Sequence, residues 1–150
     1  MEETIERFER FVLAIERMSK NVKRIEDSEL EKYGLRSSHL MCILQLAKHG
    51  GLSTVALAKE CEVDKAYISR ITGELLEKNY ISRDTSGEQK YKVKFTLTPE
   101  GKRLHREVLE IITRRLLSVN GDASGEELSL FYALLTKIDE RISELSKKGD

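Results

Sequence analysis

The sequence has few of the residues that support disulfide-stapled or metal-binding proteins. Among 150 residues there are two cysteines, one proline and no tryptophan. Cys42 and Cys61 are too few for a disulfide scaffold and lack C-x-x-C spacing. The histidines His39, His49 and His105 form no His-x-x-x-His pair, so we predict no metal site and no cofactor, and expect ordinary polar surface residues.

Long apolar runs and catalytic motifs are also missing. No run approaches the roughly 20 apolar residues that cross a bilayer, and the first residues are acidic and amphipathic, unlike a signal peptide. We therefore expect a cytoplasmic protein without membrane contact. A Gly-rich phosphate loop, a nucleophile elbow and a carboxylate or histidine cluster at ligand spacing are absent as well, so we predict that the protein is not an enzyme.

Charge is balanced over the whole chain but not along it. The 26 basic residues match the 26 acidic ones, which leaves the choice of partner open. Residues 35–98, however, carry 10 basic and 7 acidic side chains, so the centre of the chain is its basic part.

A two-residue period in the centre predicts a strand over residues 90–97. One side of this strand is apolar and the other is mostly lysine; the members are Tyr91, Val93, Phe95 and Leu97 against Lys90, Lys92, Lys94 and Thr96. A preceding strand over 80–83 and a turn over 84–89 complete a hairpin that presents cations.

Two short helices joined by a tight turn precede this hairpin. Ser53 and Asp64 are predicted N-caps, and Asn79 is a predicted left-handed stop after the second helix. Burial of Ile68, Ile71 and Leu75 would leave one polar face outward, made of Lys65, Tyr67, Ser69, Arg70 and Thr72. A helix-turn-helix followed by a basic hairpin is typical of proteins that read DNA.

Striped helices are predicted at both ends of the chain. One covers residues 2–32, a second begins after Thr98 at Pro99, and a third follows the capping box of Ser124 and Glu127. We predict a mainly α fold with a small β-wing, in which residues 35–98 form a winged helix-turn-helix lobe. Residues 1–34 and 99–150 would form a helical dimerisation lobe, because such long apolar stripes need a partner.

The sequence resembles the MarR family of winged helix-turn-helix transcription regulators along essentially its whole length. The matching pieces are Leu52-Ser53, Ser69-Arg70, Glu77-Lys78-Asn79-Tyr80-Ile81 and Leu97-Thr98-Pro99-Glu100-Gly101. The resemblance implies a homodimer that represses transcription at pseudo-palindromic operators in double-stranded DNA and is released by a small-molecule effector or an oxidant. The family's wing commonly carries Asp-x-Arg where this chain has Gln89 and Tyr91, so Lys90 or Arg83 would supply the minor-groove cation.

The predicted DNA-binding residues are Ser37, Ser38, Lys65, Tyr67, Ser69, Arg70, Thr72, Arg83, Lys90, Lys92 and Lys94. Arg70 suits guanine, and the wing lysines suit phosphate. Three alternatives stay open: the two serines could simply cap a helix, the cysteines could be small buried residues or oxidant sensors, and the winged module could serve RNA binding or protein assembly.

Overall fold

The structure, a computed structural model, describes residues 1–85 and 93–147, which form six α-helices and three short strands. The helices are α1 (Glu2–Leu30), α2 (Ser37–His49), α3 (Thr54–Cys61), α4 (Lys65–Glu77), α5 (Pro99–Leu117) and α6 (Gly125–Lys147). The strands are β1 (Leu52–Ser53), β2 (Ile81–Asp84) and β3 (Lys94–Leu97), and single 3₁₀ turns cover Glu31–Tyr33 and Ser118–Asn120. The predicted mainly α fold with a small β-wing is confirmed.

Side-chain caps set the beginnings of the two central helices. The Ser53 hydroxyl accepts a bond from the Ala56 N–H at 3.2 Å, and the Asp64 carboxylate accepts one from the Tyr67 N–H at 2.7 Å. Both predicted caps are therefore confirmed, and they satisfy N–H groups that have no partner inside the helix. The predicted stop is confirmed too, because Asn79 has a φ of 59°.

The sheet has three antiparallel strands in the order β1, β3, β2. Ile81 pairs with Leu97 and Asp84 with Lys94, which fixes the register of the wing hairpin. The observed β3 is the second half of the predicted strand over 90–97; Lys90 and Lys92 lie outside the described residues. The pairing of β1 with Phe95 of β3 was not predicted, because two residues are too short to show a period.

The chain divides into two compact units, Met1–Ile112 and Thr113–Asp150. In the first unit α2 packs against α1, α3, α4 and β3. The core side chains there are shielded from solvent and mostly branched aliphatic: Leu30, Ile43, Leu46, Leu57, Ile68, Ile71, Leu75, Ile81 and Val108. This packing buries one face of α4, with Ile68, Ile71 and Leu75, and leaves the opposite face exposed.

The last two helices begin as the sequence predicts. The Thr98 hydroxyl accepts a bond from the Gly101 N–H at 3.0 Å at the start of α5. Before α6, Ser124 and Glu127 exchange bonds of 2.8 and 3.2 Å, so the predicted capping box is confirmed. Over residues 1–85 and 93–147, none of these helices combines the length and the apolar character that a membrane span requires.

Candidate nucleic-acid interface

Helix α4 presents a polar face at its N-terminal half. Lys65, Tyr67, Ser69 and Arg70 are exposed there, on the side opposite the buried face of the helix. An ammonium, a phenol, a hydroxyl and a guanidinium are groups that can bond to base edges or phosphates. The structure therefore brings four of the predicted site residues together on one surface.

Thr72 does not belong to this surface, and the prediction that it faces outward is wrong. Its side chain is buried, and its hydroxyl donates to the Ile68 carbonyl at 2.9 Å, with the Ser69 carbonyl at 3.2 Å. A hydroxyl that bonds to the preceding turn can lie on the inner side of a helix without an unsatisfied polar atom.

Arg70 is held by side chains on both sides of it along the helix. Its Nη1 lies 3.0 Å from Oε1 of Glu74, and its Cζ lies 5.0 Å from the centre of the Tyr67 ring. A guanidinium that lies over an aromatic ring and donates to a carboxylate has restricted rotamers but keeps further N–H donors for another partner.

Glu74 also contacts a buried histidine on another helix. Nε2 of His39 lies 2.7 Å from Oε2 of Glu74, and Nδ1 of His39 accepts the Arg36 backbone N–H at 3.0 Å. The bond from His39, followed by the contact with Arg70, holds the pKa of Glu74 below its usual value. Our expectation that His39 is a surface residue is therefore wrong; it is the third residue of α2, where a side chain can cap the helix start.

The two predicted serines lie half-buried at the start of α2. The Ser37 N–H donates to a carboxylate oxygen of Asp27 on α1 at 2.7 Å, so the side chain that caps this helix end comes from α1. The Ser37 N–H is thus already used, and a contact of Ser37 with DNA would have to come from its hydroxyl, so the role of both serines in DNA binding stays a prediction.

A polar cavity of about 760 Å³ lies beside this helix start, within the first unit. Its walls come from the end of α1, the start of α2 and the middle of α4, and they include Asp27, Glu31, Arg36, His39, Arg70 and Glu74. Its volume falls within the range of small-molecule sites.

The described part of the wing adds two cations. Arg83 on β2 and Lys94 on β3 are exposed, and Lys94 pairs across the ladder with Asp84. The remaining predicted wing cations, Lys90 and Lys92, fall in the stretch from 86 to 92 that the structure leaves undescribed, so their role stays a prediction.

The two cysteines lie side by side in the core. Both are buried, and burial raises the pKa of Cys42 to about 12, with the neighbouring Cys61 as the next cause. Burial is also the main cause of the raised pKa of Cys61. A thiol that stays protonated is a poor nucleophile, so this environment favours the interpretation of two small buried residues over that of oxidant sensors.

Comparison with known proteins finds similar sequences for this chain. A model of the MarR family matches residues 33–90, which run from the end of the first 3₁₀ turn into the wing. The HTH-type transcriptional repressor YetL of Bacillus subtilis is 29% identical over 128 residues, which are 84% of this chain and 77% of that protein.

Solved structures show the same fold. A MarR protein from Peptoclostridium difficile has a TM-score of 0.82 at 18% identity, covering 93% of this chain and 92% of its own. A MarR family transcription regulator has a TM-score of 0.86 at 19% identity, with 98% and 97% covered. The family model over residues 33–90, the similarity to a repressor and the shared winged fold thus make the chain similar to the MarR family of winged helix-turn-helix transcription regulators.

Proposed function

We propose that the protein is a homodimeric repressor that reads a pseudo-palindromic operator by placing the N-terminal half of α4 in the major groove. The observation that carries this proposal is the division of α4 into two faces. Ile68 and Ile71 are fully shielded from solvent, whereas Lys65 and Arg70 are exposed on the other side. A helix anchored in this way can enter a groove of about 12 Å width without giving up its own core contacts.

The side chains on α4 suggest separate roles in binding. Arg70 has the fork of N–H donors that fits O6 and N7 of guanine, and Lys65 at the first helical position suits a phosphate. Arg83 and Lys94 on the wing would add backbone contacts beside the recognition helix.

Homodimerisation is supported by the exposed apolar faces of α1 and α6. Among the described residues of α6 none is buried, and Phe131 is 53% exposed. Phe8 on α1 is 64% exposed. A second copy of the chain is the commonest partner for such surfaces, and a two-fold dimer would match the symmetry of a pseudo-palindromic operator.

Release by a small-molecule effector is supported by the position of the polar cavity of about 760 Å³. Its walls include Arg70 of the exposed polar face and Glu74, the partner of Arg70, so a ligand bound there would lie directly against the recognition helix.

Selection from a random duplex library tests the proposal. The full-length protein should enrich an inverted repeat and bind it more tightly than a scrambled duplex or an RNA of the same sequence, all at one salt concentration. Arg70→Ala should lower the preference for the enriched site over the scrambled duplex about 10-fold, because the base contact is lost. Arg106→Ala removes the same charge from an exposed position on α5 and should leave this ratio unchanged.

Two results would overturn the proposal. If selection enriches no site, or if RNA competes as well as the preferred duplex, the protein does not read an operator. If Arg70→Ala and Arg106→Ala reduce the ratio equally, α4 is not the reading element.

A further inference from the structure

A chain of three hydrogen bonds runs from the backbone at the start of α2 to the exposed face of α4. The Arg36 N–H can only donate, so Nδ1 of His39 is the acceptor in their 3.0 Å bond. The proton of the neutral ring is then on Nε2, which donates to Oε2 of Glu74 at 2.7 Å. Oε1 of the same carboxylate accepts from Nη1 of Arg70 at 3.0 Å.

The two ends of this chain differ in their exposure. The His39 side chain is 5% exposed and is fixed by its bond to the helix start. The Arg70 side chain is 58% exposed and would otherwise sample many rotamers. Glu74 lies between them with 39% exposure, so it transmits the fixed position of a buried ring to a surface guanidinium.

Arg70 is also held from the opposite direction. The centre of the Tyr67 ring, one turn earlier, lies 5.0 Å from Cζ of Arg70, while Glu74, one turn later, accepts a hydrogen bond from Nη1. Ring and carboxylate together restrict the position of the guanidinium and use only part of its donors. Such restriction before binding favours the one orientation that matches a base edge.

The carboxylate of Glu74 has a second, opposing effect on binding. A negative charge beside the exposed polar face of α4 repels the phosphates of any duplex, whatever its sequence. The charge would therefore lower the affinity for operator and nonspecific DNA alike, whereas the improved geometry of Arg70 favours the operator alone and is the effect that increases selectivity.

We propose that Glu74, anchored by His39, is a specificity-determining positioning residue that orients Arg70 for base recognition and weakens binding to nonspecific duplex. This inference rests on the proposed reading of DNA by α4. It assigns to His39 on α2 and Glu74 on α4 a function that the sequence of neither helix suggests.

Glu74→Gln is the direct test, measured on the selected operator and on a scrambled duplex at one salt concentration. The amide carries no charge and has an NH2 group in place of one carboxylate oxygen, so one of the two donors, His39 or Arg70, would face another donor and lose its bond. We expect tighter binding to the scrambled duplex and a preference ratio lowered about 10-fold. A purely electrostatic role would raise both affinities equally, and a purely structural role would lower both; either result would overturn the proposal.

A double-mutant comparison shows whether Glu74 acts through Arg70. In the Arg70→Ala background, Glu74→Gln should leave the preference ratio unchanged, because the side chain that it positions is gone. A further drop of similar size in that background would mean that Glu74 contacts the bases itself, which contradicts a positioning role.

Two substitutions of His39 separate its two bonds. Asparagine places an oxygen near the Nδ1 position and keeps the bond to the Arg36 N–H, but it cannot reach Glu74. Glutamine places an N–H near the Nε2 position and keeps the bond to Glu74, but it gives up the helix cap. We expect His39→Asn to lower the preference ratio as Glu74→Gln does, and His39→Gln to keep the ratio while the midpoint of urea unfolding falls.

The outcomes separate this inference from the function on which it depends. A wild-type protein without preference for any duplex refutes the proposed function before a variant is made. A wild-type protein that prefers its operator, together with a Glu74→Gln or His39→Asn variant that keeps the full preference, refutes only the positioning role.

Discussion

Helices in the centre of the chain and α6 at its C-terminal end have the same apolar periodicity, but their apolar faces lie in opposite environments. In the centre, Ile43, Leu57 and Ile68 are completely shielded from solvent. At the C-terminal end, α6 has an equally regular apolar stripe, yet none of its described residues is buried and Ile138 is 37% exposed. Periodicity thus predicts which face of a helix is apolar, but not whether the chain itself covers that face.

The difference indicates where each region obtains its stability. The centre buries its apolar side chains against other elements of the same chain, so its packing is intramolecular. The apolar face of α6 needs a surface from outside, and a second copy of the chain is the partner that we propose. Three substitutions test this contrast.

Gly101→Ala should have the largest effect, at the junction between the centre and α5. Gly101 lies in the first turn of α5, and a Cβ there would stand 1.9 Å from the Tyr80 carbonyl oxygen, which is backbone and cannot rotate away. That oxygen also accepts the Thr98 N–H at 3.1 Å, so moving it breaks the junction between wing and helix. We expect the free energy of unfolding in urea to fall by about 3 kcal/mol or more.

Gly125→Ala is the matched control for this prediction. Gly125 is the first residue of α6, and within the described ranges its Cβ would have no atom within 4 Å. Equal unfolding midpoints for the two alanine variants would show that the contact at Tyr80 is not tight. The junction between Tyr80 and α5 would then tolerate a side chain at residue 101.

Ile138→Glu tests whether the apolar face of α6 is the dimer contact. A carboxylate in the middle of the apolar face of α6 would be buried without a partner in the proposed dimer, so we expect a monomer in sedimentation. Operator affinity should then fall about 100-fold or more, because two linked half-site contacts become one. The melting of the centre should stay close to that of the wild type.

Ala133→Glu adds the same charge on the opposite side of α6 and should keep both dimer and affinity. A dimeric Ile138→Glu protein, or one no weaker on DNA than Ala133→Glu, would show that this face is not the dimer contact.

Local rules of the sequence predicted the helix ends well. The caps at Ser53 and Asp64, the left-handed Asn79 and the capping box before α6 each depend on a few neighbouring residues, and all are present. Such features need no knowledge of the rest of the fold.

Features that depend on residues far apart in sequence were missed. The strand β1 exists only because Phe95 pairs with Leu52, and the network at Glu74 joins His39 to a residue 35 positions later. Thr72 was misplaced for a different reason: its polarity predicted exposure, while a bond to its own helix makes burial inexpensive. Only three-dimensional contacts show these relationships.

A contrast between tight and open packing also separates two glycines of the first unit, Gly101 and Gly73, and gives the smallest predicted effect. Gly73 lies in the middle of α4, where glycine is less stable than alanine, yet a Cβ there would meet no atom within 4 Å among the described residues. Gly73→Ala should therefore raise the free energy of unfolding by about 1 kcal/mol, through lower backbone entropy of the unfolded chain. A lower urea midpoint than the wild type would contradict the open space seen at this position. It would mean that the fold requires glycine at residue 73 as well as at residue 101.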